Sequence, residues 1–308
     1  MSQAPSPTHA ARLTIASIAR LYADGERIAM LTAYDYPTAR ILDEAGIPML
    51  LVGDSVGQVM LGYDSTVRVT MPEMLHHTKA VVRGTSHALV VADMPFLSYG
   101  VTPEASLENA GILMREGGAG AVKLEGGERS SRTIESIVRA GIPVMSHIGL
   151  TPQSIHQLGG HRVQGKTRDA GRQLLADALA VQRAGAFAVV LELVPEELAA
   201  EITKRLSIPT IGIGAGAGCA GQVQVITDLL GLNPDFTPRH ARKYADLHSI
   251  IKTAAGAYRD DVRAGTFPGP EQSTRMDVKT LDDILGQPGL DSTGGMAAGR
   301  GIPLDRDL

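Results

Sequence analysis

Ala119-Gly120-Ala121-Val122-Lys123-Leu124-Glu125 is a short apolar run that breaks off on a lysine and a glutamate. Its length suits a strand, and its near-continuous apolar character suits one buried on both faces, as in a parallel sheet. Side chains alternate across a strand, so Lys123 and Glu125 share one face while Val122 and Leu124 share the other. Seven further runs rich in Val, Ile and Leu recur at Ile28–Thr32, Met49–Gly53, Ala88–Ala92, Pro143–Ser146, Ala186–Leu191, Thr210–Ile213 and Val223–Ile226. Between them lie helical patterns such as Pro37–Ala45, Pro72–Arg83, Pro103–Glu116, Arg132–Ala140 and Ala170–Ala184, several opening on Pro. Gly46, Gly141 and Gly185 stand where helix C-caps precede the next run.

Eight strand–helix units close a barrel, and fewer leave an open doubly wound sheet. The pattern predicts an α/β fold, a single-domain (β/α)8 TIM barrel over residues 11–273, after a flexible N-terminus at 1–10. Residues 274–308 include Gln287-Pro288-Gly289 and Gly294-Gly295-Met296-Ala297-Ala298-Gly299, which offer little to bury. They predict a partly disordered C-terminal extension with one short helix near Val278–Leu285.

The strands of such a barrel all end at one mouth, and ionisable residues recur where these runs stop. Asp54 follows the second, Asp93 the third, Lys123 and Glu125 close the fourth, His147 the fifth and Glu192 the sixth. Each has a plainer account alone. An Asp after a strand often caps a helix or forms a turn, Lys123 and Glu125 could be a structural pair, and Glu192 could cap the helix after Pro195. Six together predict a shared cavity. Asp54, Asp93 and Glu125 are hard oxygen donors with one nearby His, which suits octahedral Mg2+ better than Zn2+. Such a cation, holding the carboxylate and keto oxygen of a 2-oxo acid, would acidify the neighbouring C–H for a carboxylate base.

Composition removes several classes of partner. The net charge of -4 is spread among mixed charges, with no basic footprint for nucleic acid. Trp is absent and aromatics make up 4%, which argues against a stacking platform for single strands. No apolar run is long enough to span a membrane, and Met1–Ala11 lacks the regions of a secretory signal, so a cytoplasmic protein is expected. Cys219, the only cysteine, rules out an internal disulfide and a thiolate cluster.

Two motifs point elsewhere. Gly160-His161-Arg162-Val163-Gln164-Gly165-Lys166-Thr167 matches the P-loop letters, but Thr151–Gly159 separates it from the fifth strand. Gly212-Ile213-Gly214-Ala215-Gly216-Ala217-Gly218 comes late and lacks a helix pattern after it, so a close backbone approach at the mouth is preferred to a dinucleotide turn; an anion nest and a plain tight turn both remain open. His76-His77 is expected to be surface or packing.

Thr32-Ala33-Tyr34-Asp35-Tyr36, Val52-Gly53-Asp54-Ser55, Ala92-Asp93-Met94-Pro95-Phe96 and Val122-Lys123-Leu124-Glu125-Gly126-Gly127 resemble the ketopantoate hydroxymethyltransferase family. So do His147-Ile148-Gly149-Leu150-Thr151-Pro152-Gln153-Ser154, Leu191-Glu192-Leu193-Val194-Pro195 and Ile211-Gly212-Ile213-Gly214-Ala215-Gly216, in family order over roughly residues 10–272. The resemblance implies a reaction in which 5,10-methylenetetrahydrofolate, 3-methyl-2-oxobutanoate and water give 2-dehydropantoate and tetrahydrofolate, a step toward pantothenate and coenzyme A. It implies that Asp54 and Asp93 hold Mg2+, with Glu125 completing the acidic shell directly or through water. Ser55 and Lys123 would then contact the oxo acid, Glu192 would accept the C3 proton, and His147 would support them. It further implies a homo-oligomer, often a decamer. The chain departs from the family pattern at Ala220, where Asp is usual, and at Thr227, where His is expected, changes that bear on the folate side. Rival expectations are a Mg2+-dependent carbon–carbon lyase or mutase on a 2-oxo acid, and a silent oxo-acid-binding barrel.

Overall fold

The computed structural model describes residues 12–286. Eight parallel strands, β1 (Ile28–Thr32), β2 (Met49–Val52), β3 (Leu89–Asp93), β4 (Ala121–Glu125), β5 (Val144–Gly149), β6 (Ala188–Glu192), β7 (Thr210–Ile213) and β8 (Gly221–Gln224), pair in sequence order. β8 pairs back onto β1 with Ile28 opposite Gly221, which closes the barrel. The helices are α1 (Ile15–Ala23), α2 (Tyr36–Glu44), α3 (Val56–Val59), α4 (Met71–Gly84), α5 (Pro103–Arg115), α6 (Ser131–Arg139), α7 (Ile155–Leu158), α8 (Arg168–Arg183), α9 (Glu196–Arg205), α10 (Ile226–Leu229), α11 (Leu247–Ala264) and α12 (Val278–Leu285).

Two apolar clusters correspond to the two faces of the strands. Leu50, Val52, Val90, Ala92, Val122, Leu124, Val189 and Leu191 face outward and pack with helix residues such as Leu42, Met74, Leu113, Ile137 and Ile202. Met30, Met49, Leu51, Leu89, Val91, Ala121, Met145, Ala188 and Val190 fill the interior. Ile18 of α1 joins that inner cluster and plugs the N-terminal end of the barrel. Complete burial of one Leu, Ile or Met side chain contributes about 1.5–3 kcal/mol, so these two layers dominate the favourable side of folding.

Gly46, Gly141 and Gly185 take the left-handed conformation expected of C-cap glycines, with φ of 78°, 90° and 93°. The link from β7 to β8 carries no helix. Seven residues, 214–220, extend to roughly 24 Å, enough to run back along a four-residue strand without a helical crossover. Strand ends also shift from expectation. Asp93, Lys123, Glu125, His147 and Glu192 lie inside the ladders rather than beyond them, because an inward polar side chain leaves the backbone hydrogen bonds intact. β8 begins two residues early, at Gly221, where an added Cβ would fall 2.4 Å from the Ile28 carbonyl oxygen.

The chain divides into two compact units, the first ending at His248 and the second beginning at Ser249. In the second, α12 covers the expected Val278–Leu285. The flexible segment expected at 1–10 and the part of the extension after 286 lie outside the described residues. Among the described residues no helix is long and apolar enough to cross a membrane.

Candidate active site

The alternation that fills the lower barrel with apolar side chains continues upward into polar ones. In β3 the inward positions run Leu89, Val91, Asp93; in β4 Ala121, Lys123, Glu125; in β5 Met145, His147; in β6 Ala188, Val190, Glu192. Neighbouring strands align these residues, with Asp93 opposite Lys123 and Glu125 opposite His147. Asp54 joins from the turn after β2, where its backbone N–H donates to Asp93 Oδ2 at 3.0 Å. Gly149, at φ 91°, brings β5 against β6 so closely that a Cβ there would lie 2.3 Å from the Glu192 carbonyl oxygen.

All six expected ionisable residues therefore meet in one network. Asp54, Asp93, Lys123, Glu125 and His147 are buried, and the Glu192 side chain is 15% exposed. Lys123 Nζ lies 3.0 Å from Asp93 Oδ1 and 3.3 Å from His147 Nδ1. An ammonium can only donate, so Nδ1 is the accepting nitrogen and the N–H of a neutral imidazole is on Nε2. That Nε2 is 3.2 Å from Glu192 Oε2, without the alignment of a full hydrogen bond. Ser55 Oγ is 2.8 Å from the Tyr34 hydroxyl, at the start of α3.

Four carboxyls, Asp54, Asp93, Glu125 and Glu192, share this region with one permanent cation, Lys123. Burial, and then the Asp93 charge, push the Asp54 carboxyl up to about 7, against the pull of Lys123 and Gln153. Burial and the Asp54 charge likewise raise Glu125 well above the carboxylate range. For Lys123 burial works against the charged form, but Asp93, Glu125 and Asp54 outweigh it and raise the ammonium. Burial and Lys123 together lower His147, in keeping with the neutral ring.

The unbalanced negative charge and the buried Asp93 Oδ1, which lacks an aligned hydrogen-bond donor, fit a hard cation held by Asp54 and Asp93. No three His, Cys, Asp or Glu side chains among the described residues form a cage by themselves.

Gln153 is the residue that strand patterning missed. Its Nε2 donates to Asp54 Oδ2 at 2.8 Å and to the Met94 carbonyl at 3.0 Å, and its Oε1 accepts from Tyr99 at 2.6 Å. Its backbone N–H donates to Glu125 Oε2 at 3.0 Å. A buried glutamine is uncommon enough to be a signal, but its burial is not readable from a loop sequence.

The other motifs settle differently. Gly160–Thr167 follows α7 instead of a strand, and the Thr167 hydroxyl caps α8 by accepting from the Ala170 N–H. At Gly216 a Cβ would fall 2.3 Å from that of Glu196, whose carboxylate is also close; this supports tight approach and opposes an anion nest. His77 Nδ1 is 2.6 Å from the Tyr34 carbonyl, a packing role. Ala220 precedes β8 at the end of the barrel opposite the mouth, where its carbonyl accepts from the Ile28 N–H. Thr227 is buried in α10 with no hydrogen-bond partner for its hydroxyl.

A family model described as ketopantoate hydroxymethyltransferase matches residues 12–270. The 3-methyl-2-oxobutanoate hydroxymethyltransferase of Chloroflexus aurantiacus is 61% identical over 275 residues, spanning 89% of this chain and 97% of its own. The protein of that name from Acetivibrio thermocellus is 55% identical over 273 residues, spanning 89% and 96%. Among solved structures, phosphoenolpyruvate phosphomutase from Streptomyces platensis subsp. rosaceus aligns with a TM-score of 0.55 at 17% identity, covering 89% of this chain and 96% of that one. For 2,3-dimethylmalate lyase the score is 0.54 at 19% identity, covering 89% and 95%. These two likenesses are of fold alone. Sequence identity over nearly the whole barrel is the stronger relation, and by it the chain belongs to the ketopantoate hydroxymethyltransferase family.

Proposed function

We propose that this chain transfers a hydroxymethyl group from 5,10-methylenetetrahydrofolate to 3-methyl-2-oxobutanoate, consuming water and releasing 2-dehydropantoate and tetrahydrofolate, in the cytoplasm. The observation that carries the proposal is the single network of Asp54, Asp93, Lys123, Glu125, His147 and Glu192 at the barrel mouth, in a chain 55–61% identical to proteins bearing that enzyme name. Asp54 and Asp93 would hold Mg2+, and Glu125, braced by the Gln153 N–H, would complete the acidic shell directly or through water. When bound, such an ion would supply Lewis acidity to the oxo acid.

The chain's own residues do the rest. Ser55 and the Lys123 ammonium bind the oxo acid, and Lys123 balances the negative charge that develops when C3 loses its proton. Glu192 takes that proton, with Nε2 of the neutral His147 standing 3.2 Å from its carboxylate.

The subunits are proposed to assemble as a homo-oligomer, a decamer by family resemblance. Ile250, Ile251, Tyr258 and Val262 lie on one face of α11 and are exposed in the single chain.

Deuterium exchange at C3 of 3-methyl-2-oxobutanoate tests the chemistry without folate. Wild-type protein with Mg2+ should exchange, and Glu192→Gln should slow exchange by roughly 10²–10⁴-fold. Binding without exchange would leave a silent oxo-acid binder, and failure to form 2-dehydropantoate from both substrates would remove the transferase reading.

A further inference from the structure

Beside the mouth lies a cleft of about 560 Å³, within the range of small-molecule sites and far larger than a five-carbon oxo acid needs. One wall is Gln58 with the Asp64–Arg68 turn, and the other runs from Pro152 through His156 to Gly160 and His161. Both walls originate at the reaction centre. Gln58 sits on α3 directly after Asp54 and Ser55, and Pro152 precedes the Gln153 that holds Asp54.

Resting on the folate reading above, we propose that this cleft receives the carboxylate-bearing aminobenzoyl-glutamate end of the folate co-substrate, with Arg68 and His161 as its carboxylate partners. Charge distribution decides the placement. The one lysine of the mouth is engaged by Asp93 at 3.0 Å and by the oxo acid, which leaves no cation there for a dicarboxylate tail. The cleft instead presents the Arg68 guanidinium and the imidazoles of His156 and His161 against one acid, Asp64. Arg68 is 3.9 Å from Asp64, but both side chains are largely exposed, so the pair is weak and most guanidinium donors stay free. The guanidinium also lies 4.6 Å from the Tyr63 ring centroid, which limits its wandering. Val67, Pro152 and Ile155 supply apolar surface for an aromatic ring between mouth and tail.

The neighbouring cleft of about 770 Å³ has the opposite character. Glu128 and Asp177 line it with a single arginine, Arg129, and Asp177 is already committed to the Glu128 N–H at 2.8 Å. Gly160–Thr167, the stretch with P-loop lettering, thus divides two clefts, with His161 on the first and Gln164 on the second.

The test is a double cycle read by calorimetry, with Mg2+ and 3-methyl-2-oxobutanoate present. Tetrahydrofolate and tetrahydropteroate, which lacks the glutamate, are titrated into wild type and Arg68→Gln, with His161→Gln as a second variant and thermal midpoints as a folding check. Wild type should bind tetrahydropteroate about tenfold more weakly than tetrahydrofolate, and each variant should shrink that preference toward unity. A preference unchanged in both variants, or equal weakening of both ligands, overturns the assignment. Should wild type fail the C3 exchange described above, the enzymatic reading falls; should exchange run while the cycle shows no coupling, only the cleft assignment falls.

Discussion

The lower and upper halves of the barrel interior are built from the same strands with the same alternation, yet they have opposite physical effects. Below, Met30, Met49, Leu51, Leu89, Val91 and Val190 meet Ile18 in a dry layer whose burial stabilises the fold. Further along the same strands, Asp93, Lys123, Glu125, His147 and Glu192 occupy equivalent inward positions, where burial works against the charged forms of Lys123, Glu125 and His147. Moving two residues along a strand converts a stabilising position into a chemical one.

Substitutions at the two ends should break differently. Glu192→Gln is the largest expected effect on rate, and its thermal midpoint should stay near wild type because Gln keeps the shape and removes one negative charge from an acidic cluster. Met49→Ala, in the dry layer, should cost about 2–5 kcal/mol in urea unfolding through lost burial and a cavity, while the folded fraction keeps its turnover. Equal loss of turnover and stability in both variants would erase the distinction between the halves. Gln153→Leu probes the seam. It strips the hydrogen-bond partner from buried Asp54 Oδ2 and Tyr99, which should cost about 1–3 kcal/mol. It should also weaken Mg2+ binding roughly 10–100-fold, since a second layer of hydrogen bonds orients metal-binding acids. Unchanged Mg2+ affinity in a folded Gln153→Leu protein would reduce Gln153 to a packing residue.

The division between halves was legible in the sequence wherever it follows strand period. Val122 and Leu124 face the helices, Lys123 and Glu125 face inward, and Asp93 and Glu192 follow from the same count, whereas Asp54 enters from the turn after β2. Exact strand ends were less legible, because an ionisable residue reads as a terminator although its backbone continues the ladder, as at Glu125 and Glu192. Gln153 was invisible as a bridge. It sits in a 3-10 turn after β5, 99 residues from Asp54, and no local period carries that distance. The helix-free β7–β8 link lies between these cases. The glycines of residues 212–218 signalled close approach, but only the register shows why seven residues suffice.

The smallest expected effect lies outside the barrel wall and isolates a carboxylate that is purely structural. Asp43 of α2 accepts from the Ala88 N–H at 2.7 Å, the Ser86 N–H and hydroxyl at 2.9 Å each, and the His87 N–H at 3.1 Å, tying the helix to the turn that enters β3. Partial burial works to raise this carboxyl, but donation by the Ala88 and Ser86 backbone, the Ser86 hydroxyl and the His87 N–H outweighs it and holds the group below its ordinary value. A depressed folded value means the contribution is complete above the unfolded value of about 3.9 and is lost as pH falls through the lower folded one. Asp43→Asn keeps the shape and one acceptor, so it should cost about 1 kcal/mol at pH 7, discounted for partial exposure. That gap from wild type in urea midpoint should close as pH drops from about 5 to 3. A gap independent of pH would assign the loss to altered hydrogen-bond geometry and not to charge. At Asp54 the same linkage has the opposite sign, since burial raises that carboxyl, so its ionisation costs stability as pH rises toward 7. Two aspartates, one anchoring a turn and one at the mouth, thereby pull the pH dependence of this barrel in opposite directions.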